Sequence, residues 1–213
     1  MIFLIEQALR STITGINFVE RYGGIVRPVS QVREGEEGRT FVDTFPVSRY
    51  VSVADCFDNG MQRDLIPDEA YKSVAYWEQR GSSTITPGGP KGLQWNISQT
   101  LRLVVWLNFA KIGLTDYDTT DELELYAIKQ LHGLHGDINT ALGYKFGFRV
   151  SGFETIQREP RTIFAPYSYS DKEWAFSWPY GFFAVDFNVN VELAAGCIVA
   201  PTLGDEITCI TTW

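Results

Sequence analysis

The acidic segment at residues 115–122 brings side chains of metal-binding type close together in the sequence. Its acidic residues are Asp116, Asp118, Asp121 and Glu122. Carboxylate oxygens at such spacing are ligands for a hard cation, but the glycine and the terminal glutamate of an EF-hand loop are missing. Thr119 and Glu122 instead have the spacing of a capping box, which satisfies the free N–H groups at a helix start. The segment therefore predicts the start of a helix, and we expect no metal ion or other cofactor.

The two histidines of the chain, His132 and His135, lie three residues apart. Two histidines on one helix face can bind a metal, but the zinc-protease motif requires spacing of i and i+4 with a glutamate between them. Neighbouring glycines also weaken a helix here. We predict structural histidines. The alternative is a metal-dependent hydrolase that uses Asp116, Asp118 and His135.

Nucleophilic catalysis is not indicated by the sequence. A Ser-His-Asp hydrolase would carry a Gly-x-Ser-x-Gly elbow, which this sequence lacks. The three cysteines, Cys56, Cys197 and Cys209, are widely spaced and form no Cys-x-x-Cys motif. We expect them to be free thiols in a reducing compartment. The sequence predicts a protein that is not an enzyme.

Aromatic residues are concentrated between residues 164 and 180. They include Trp174, Trp178 and Tyr180. Aromatic platforms for single-stranded nucleic acid also carry cations, but Lys172 is the only positively charged residue after residue 161. The net charge of −8 likewise argues against a nucleic-acid groove. Packing in a core or at a subunit contact is the main interpretation, and a carbohydrate-binding module is the alternative.

Two helices and a set of strands must position these side chains. Residues 2–14 place apolar side chains on one face and predict an amphipathic first helix. A second apolar stripe predicts a long central helix over Glu122–Leu142. Strict alternation of apolar and polar residues over Phe183–Leu193 predicts a strand with one buried face.

The longest alternating stretch runs from Leu93 to Phe109, and one of its faces is apolar except at Gln99. At about 3.3 Å per residue, it would span more than about 50 Å. Such a strand either bends at a bulge, near Ser98–Thr100, or forms half of a long hairpin. Residues 72–79 can pair with it, and the polar segment 80–90 has the composition of an exposed hairpin tip.

Together these patterns predict one α+β domain over residues 1–213, with a mostly antiparallel sheet packed by the N-terminal helix and one long central helix. A long hairpin arm protrudes over about residues 71–113, and a C-terminal tail follows at 196–213. No run of 18 apolar residues occurs, so we expect no membrane span, and residues 1–10 do not resemble a signal peptide.

Three segments have the composition of contact regions: the charged, glycine-containing tract at 33–39, the hairpin tip and the apolar tail. The candidate interface residues are Arg33, Glu34, Glu36, Glu37, Arg39, Arg80, Ser82, Ser83, Thr84, Ile85, Ile198, Ile207, Ile210 and Trp213. These features favour a chain that contacts copies of itself.

The predicted order of elements resembles that of the small proteins that form rings at the neck of tailed bacteriophages, the head–tail connector and tail-terminator group. The resemblance is carried by the helix at Ile2–Ile13, the sheet, the helix at Glu122–Leu142 and the strand at Phe183–Leu193. It implies a structural virion protein that forms a ring between portal and tail. It also implies contacts with other neck, tail or portal proteins, and an acidic lumen through which DNA passes without binding.

Overall fold

The computed structural model describes residues 2–34, 39–48, 65–88, 94–114, 119–139, 145–168 and 173–194. Its strands are β1 Arg21–Glu34, β2 Thr40–Ser48, β3 Ser73–Gly88, β4 Gln94–Asn108, β5 His135–Asn139, β6 Lys145–Gln157 and β7 Tyr180–Ala194. Its helices are α1 Ile2–Thr14, α2 Phe109–Ile112, α3 Thr119–Leu131 and α4 Pro160–Ile163, with a 3₁₀ turn at Glu173–Phe176.

The seven strands form one mixed sheet in the order β2-β1-β3-β4-β7-β6-β5. β1 and β3 are parallel, and the other neighbouring strands are antiparallel. Strands account for 57% of the described residues, and the helices are short. The predicted fold class, an α+β fold with a mostly antiparallel sheet and a long central helix, was therefore wrong: the protein is mostly β, with a mixed sheet.

The predicted central helix is replaced by a shorter helix and a strand. α3 ends at Leu131, and Gly133 adopts a left-handed conformation with φ of 75°. Glycine accepts this conformation without steric cost and commonly ends helices. The chain then enters β5, which pairs with β6 from His135 to Asn139. The apolar stripe was real, but Ile138 belongs to a strand rather than to the helix.

One face of the sheet is covered by α1 and α3. Ile5, Leu9 and Ile13 of α1 are fully buried in the main core, as the amphipathic pattern predicted. Glu6 is also fully buried, although its side chain ends in a carboxylate. Its carboxylate accepts hydrogen bonds of 3.0 and 3.3 Å from Arg10, which supplies the positive charge that a buried carboxylate requires.

The opposite face carries a second core, covered by α4, the 3₁₀ turn and residues 65–66. Val104 and Trp106 of β4 are buried in it, and the Trp106 indole N–H donates to the Ala175 carbonyl at 2.8 Å. Because both faces of this half of β4 are covered, its side chains are apolar on both sides. The sequence alternates clearly in the other half, where one face is polar.

β3 and β4 pair with each other from Ser73↔Leu107 to Gly88↔Gln94. β4 also pairs with β7 along its whole length, so it is an inner strand of the sheet rather than half of a free-standing hairpin. The pairing of β3 with β4 is irregular between Arg80 and Thr84, opposite Ser98–Thr100. The extra residues thus lie in β3, at the level where the sequence predicts a bulge in β4.

Candidate assembly interface

The sheet divides at one end. β1 pairs with β3 from Arg21↔Val74 to Val26↔Glu78, and beyond Val26 its described pairing is with β2 alone. β3 continues to Gly88 paired with β4. Since β1 and β3 are parallel, the β1–β2 and β3–β4 pairs continue toward the same end of the sheet; β1–β2 separates from it there, whereas β3–β4 stays in the sheet because β4 remains paired with β7. We call β1–β2 beyond Val26 the first arm, β3–β4 beyond Glu78 the second arm, and the space between their facing edges the fork.

Pro28 explains why the β1–β3 pairing ends. Ser168 bonds the backbone of Thr44 on β2: the Ser168 N–H donates to the Thr44 carbonyl at 2.8 Å, and the Thr44 N–H donates to Ser168 Oγ at 3.1 Å. These groups of Thr44 therefore point away from β1. In an antiparallel pair the residue opposite Thr44, which is Ser30, must then point its own N–H and C=O away from β2. By the same alternation, the backbone of Pro28, two residues earlier, also points away from β2. Pro28 faces β3 but has no N–H to donate, so the parallel ladder stops there.

On the other side of the fork, β3 departs from regular pairing at the same level. Gly81 has a φ of 63°, and the irregularity extends to Thr84. The side chain of Gln99 reaches this irregularity from β4: its Nε2 donates to the Arg80 carbonyl at 2.8 Å, and its Oε1 accepts a hydrogen bond from Ser83. This explains why the apolar face of β4 contains one buried glutamine.

Both arms expose large apolar side chains. On the first arm, Val32 and Val42 lie directly opposite each other and are 66% and 58% exposed. On the second arm, Ile85 is 54% and Trp95 is 43% exposed. Exposed apolar residues grouped in this way, rather than scattered singly, are typical of protein contact sites.

A buried row of charged residues fixes the base of the fork. Glu78, Arg102 and Asp186 lie opposite one another on β3, β4 and β7. Arg102 donates two hydrogen bonds to Asp186, at 2.6 Å from Nε and 2.8 Å from Nη2. These bonds raise the pKa of Arg102 further. The row couples the three central strands at the level where the arms begin.

Glu78 also binds the segment that closes the outer edge of the first arm. Its Oε1 accepts a hydrogen bond of 2.7 Å from the Tyr167 hydroxyl, next to Ser168. Its Oε2 has no hydrogen-bond partner among the described residues and lies 3.7 Å from Nη1 of Arg80. Burial raises the pKa of Glu78, and its neighbours, Tyr167 first among them, offset this only in part.

The structure brings together some of the predicted interface residues. Ser82, Ser83, Thr84 and Ile85 are exposed on the second arm, whereas Arg80 is half-buried beside Glu78. Arg33 and Glu34 end β1, and Arg39, which is exposed, precedes β2. The others lie outside the described residues: Glu36, Glu37, Ile198, Ile207, Ile210 and Trp213.

Sequence reasoning missed Val32, Val42 and Trp95, which are exposed on the arms. The sequence pattern around these residues does not distinguish an exposed strand end from a buried strand. Alternating apolar residues next to a turn are normally assigned to a buried strand face. Only the tertiary structure shows that these strand ends extend beyond the residues that cover the two cores.

Among the residues proposed for metal binding, the structure describes the histidines but not the two aspartates. His135 Nδ1 lies 3.1 Å from the carbonyl oxygen of Gly133, and the His132 ring contacts Phe153 edge-on. Among the residues that the structure describes, no group of at least three His, Cys, Asp or Glu side chains is placed to hold a metal ion. Asp116 and Asp118 lie outside them.

The aromatic tract mainly covers the second core. Tyr180 stacks on buried Trp106 with centroids 5.2 Å apart, and Trp174 meets Tyr180 edge-on at 5.0 Å. The rings of Trp178 and Phe109 are in contact, with an angle of 33° between their planes. Trp174 and Trp178 remain 38% and 48% exposed, but Trp174 and Tyr180 meet at 67° and do not form a flat platform.

The polar half of the sheet contains two shallow depressions, of about 510 and 340 Å³, on either side of Asn190 and Glu192. Their hydroxyl and amide groups largely bond one another; for example, Asn190 Nδ2 donates to Ser151 Oγ at 2.8 Å. This surface has the character of a hydrated sheet face.

No helix in the described ranges combines the length and the apolar character needed to cross a membrane. No protein-family model matches the sequence, and no curated protein matches it either.

Proposed function

We propose that this chain is a structural subunit that assembles with copies of itself into a ring, at the neck between the head and the tail of a tailed bacteriophage. The observation that carries the proposal is the forked end of the sheet, where two arms extend from one body with apolar side chains exposed on both.

Two different exposed apolar surfaces on one subunit favour a ring over a two-fold dimer. A two-fold dimer uses the same patch on both partners, whereas a head-to-tail contact joins two different patches and closes into a ring when the rotation permits. The Val32–Val42 pair on the first arm and the Ile85–Trp95 region on the second arm are two such patches. Burying them in a contact would remove apolar area from water.

The charge of the chain is compatible with a place around passing DNA. With 26 acidic and 18 basic residues, the subunit repels a phosphate backbone rather than binding it. In the proposed location, a virion assembled in the host cytoplasm, the partners would be copies of the chain and neighbouring neck, tail or portal proteins. The apolar residues of the 196–213 tail are proposed as additional contacts.

Native mass measurement with negative-stain imaging tests the proposal. The wild-type protein should form closed rings, alone or with neck or tail partners. The double variant Ile85→Lys/Trp95→Lys should stay monomeric, because two charges would have to be buried in the contact. Thr86→Lys, also at an exposed position but on the other face of β3, is the matched control and should assemble normally. A wild-type protein that stays monomeric with every such partner would refute the proposal.

A carbohydrate-binding role is the second candidate, favoured by the exposure of Trp174 and Trp178. Aromatic faces can stack on sugars without needing positive charge. Retention on a glycan array that is lost in Trp174→Ala or Trp178→Ala, but kept in Trp95→Ala, would support this role over assembly. Absence of binding to any glycan would remove it.

A further inference from the structure

We infer that residues 164–168 form a strap that fastens the first arm to the body of the sheet, and that ionisation of Glu78 loosens this strap. The strap holds the arm more firmly in mildly acidic solution than at neutral pH. The inference goes beyond the proposed function, because it concerns the single chain and needs no partner.

The strap begins in the second core and ends on the first arm. Phe164 is buried in that core, and the Tyr167 N–H donates to the Phe164 carbonyl at 2.9 Å. Ser168 then bonds the backbone of Thr44 on β2 in both directions, at 2.8 and 3.1 Å. Thr44 lies in the first arm, beyond the level of Val26 at which the described pairing of β1 with β3 ends. The strap therefore connects the arm to the body where that strand pairing no longer does.

Tyr167 anchors the strap to the central strands. Its hydroxyl donates to Oε1 of Glu78 at 2.7 Å, and its ring meets that of Tyr76 edge-on, with centroids 6.2 Å apart. Glu78 is 6% exposed and is paired with Val26, at the base of the fork. Because Tyr167 and Ser168 are neighbours in the sequence, loss of the bond to Glu78 also weakens the hold of Ser168 on β2.

The surroundings of Glu78 disfavour its charged form. Arg102, directly opposite on β4, donates two hydrogen bonds to Asp186, so its positive charge is shared between two carboxylates. Arg80 Nη1 lies 3.7 Å from Oε2 of Glu78, and the residue that β1 places beside Glu78 is the apolar Val26. Oε2 has no hydrogen-bond partner among the described residues. A buried carboxylate with one unpaired oxygen is costly to ionise.

This environment gives the pH dependence its direction. Burial raises the pKa of Glu78 in the strapped form, and Asp186 raises it further, whereas the bond from Tyr167 and the charges of Arg80 and Arg102 lower it. Release of the strap admits water and returns the pKa of Glu78 towards the ordinary value of a carboxyl group. The contribution of Glu78 to holding the strap is therefore present below that ordinary value, and it is lost as the pH rises through the raised pKa.

Amide hydrogen exchange of the full-length protein in dilute solution tests the inference. The amides of Ser168 and Thr44 report on the strap, because each donates a hydrogen bond across its junction with the arm. After correction for the intrinsic exchange rate at each pH, their opening equilibrium constants should rise about threefold or more between about pH 5 and about pH 7.5.

Three variants separate the strap from general effects of charge. Glu78→Gln keeps an oxygen that can accept from Tyr167 but cannot ionise, so its opening constants should not depend on pH. Glu192→Gln, at an exposed carboxylate on β7, is the matched control and should retain the wild-type dependence. Tyr167→Phe keeps the ring but loses the hydrogen bond to Glu78, and it should raise the opening constants at about pH 5 by about threefold to tenfold.

The inference is overturned if the wild-type opening constants of Ser168 and Thr44 do not change with pH, or if Glu78→Gln retains the wild-type dependence. It is also overturned if Glu192→Gln loses the dependence as well, because that result would indicate a response to overall charge. Unchanged opening in Tyr167→Phe would show that Tyr167 does not anchor the strap, which would overturn the inference too. These measurements are made on the single chain, so failure of the protein to assemble would refute the proposed function and leave them unaffected.

Discussion

Replacing Arg102 by Met tests the charged row at the base of the fork. Arg102 is 4% exposed, and its side chain lies between the carboxylates of Asp186 and Glu78 on the neighbouring strands. Methionine fills much of the same volume but removes the positive charge and both hydrogen bonds to Asp186. The two carboxylates would then be buried without their central cation.

The expected cost follows from this burial. The side chains of Asp186 and Glu78 are 13% and 8% exposed. Removing one partner of a buried ion pair typically destabilises a protein by about 3–5 kcal/mol, because the remaining charge stays desolvated. Replacing both partners by apolar residues is often nearly neutral, so Arg102→Met/Asp186→Leu should recover most of the loss. Arg149→Met, an exposed arginine on β6, should change the free energy of unfolding by less than about 0.5 kcal/mol.

Urea unfolding followed by tryptophan fluorescence, at one protein concentration, measures these differences. The cost of Arg102→Met should be smaller at about pH 5 than at about pH 7.5, since the orphaned carboxylates can take up protons. A cost below about 1 kcal/mol at neutral pH would refute the assignment of this row as a buried ion-pair network. So would a double variant as unstable as the single one.

Two further predictions concern single side chains. Burial raises the pKa of Glu78, so the folded protein binds a proton at Glu78 more readily than the unfolded chain does. The contribution of Glu78 to stability is therefore present at low pH, and it is lost as the pH rises through the raised pKa. The stability of Glu78→Gln relative to wild type should consequently increase as the pH rises from about 4 to about 7, as measured by thermal melts. A difference in melting temperature that stays constant across that range would contradict the raised pKa. Gly181→Ala should cost about 1–3 kcal/mol, because its new Cβ would lie 2.3 Å from Cζ of the fully buried Phe109. Gly152→Ala, where no atom lies within 4 Å of the new Cβ, is the control for calorimetry, and equal melting temperatures for the two variants would contradict the close packing.

The local patterns of the sequence determined the elements with strong periodicity. The apolar face of α1 and the alternation in β4 and β7 each identify the side chains that enter the core, because a side chain's direction follows from helical or strand geometry alone. The start of α3, which begins at Thr119, is likewise local. The end of that helix was misjudged, since the apolar spacing continues into Ile138 although Gly133 stops the helix.

The candidate interface depended on information that no local pattern contains. The sequence shows that residues 80–90 resemble a hairpin tip, and Ile85 was selected on that ground. It does not show that β1 pairs with β3, which is a contact between residues about 50 positions apart. The backbone edge of β1 beside Val32 is left open where that pairing ends.

The sequence by itself therefore determined the apolar faces of α1, β4 and β7, and that the protein is acidic. Only the tertiary structure decided that the sheet is mixed, that its two arms separate at Pro28, and that Glu78, Arg102 and Asp186 meet on adjacent strands. The physical reason is that strand order and register come from pairing between distant segments. That pairing is selected by the whole buried core rather than by any one segment.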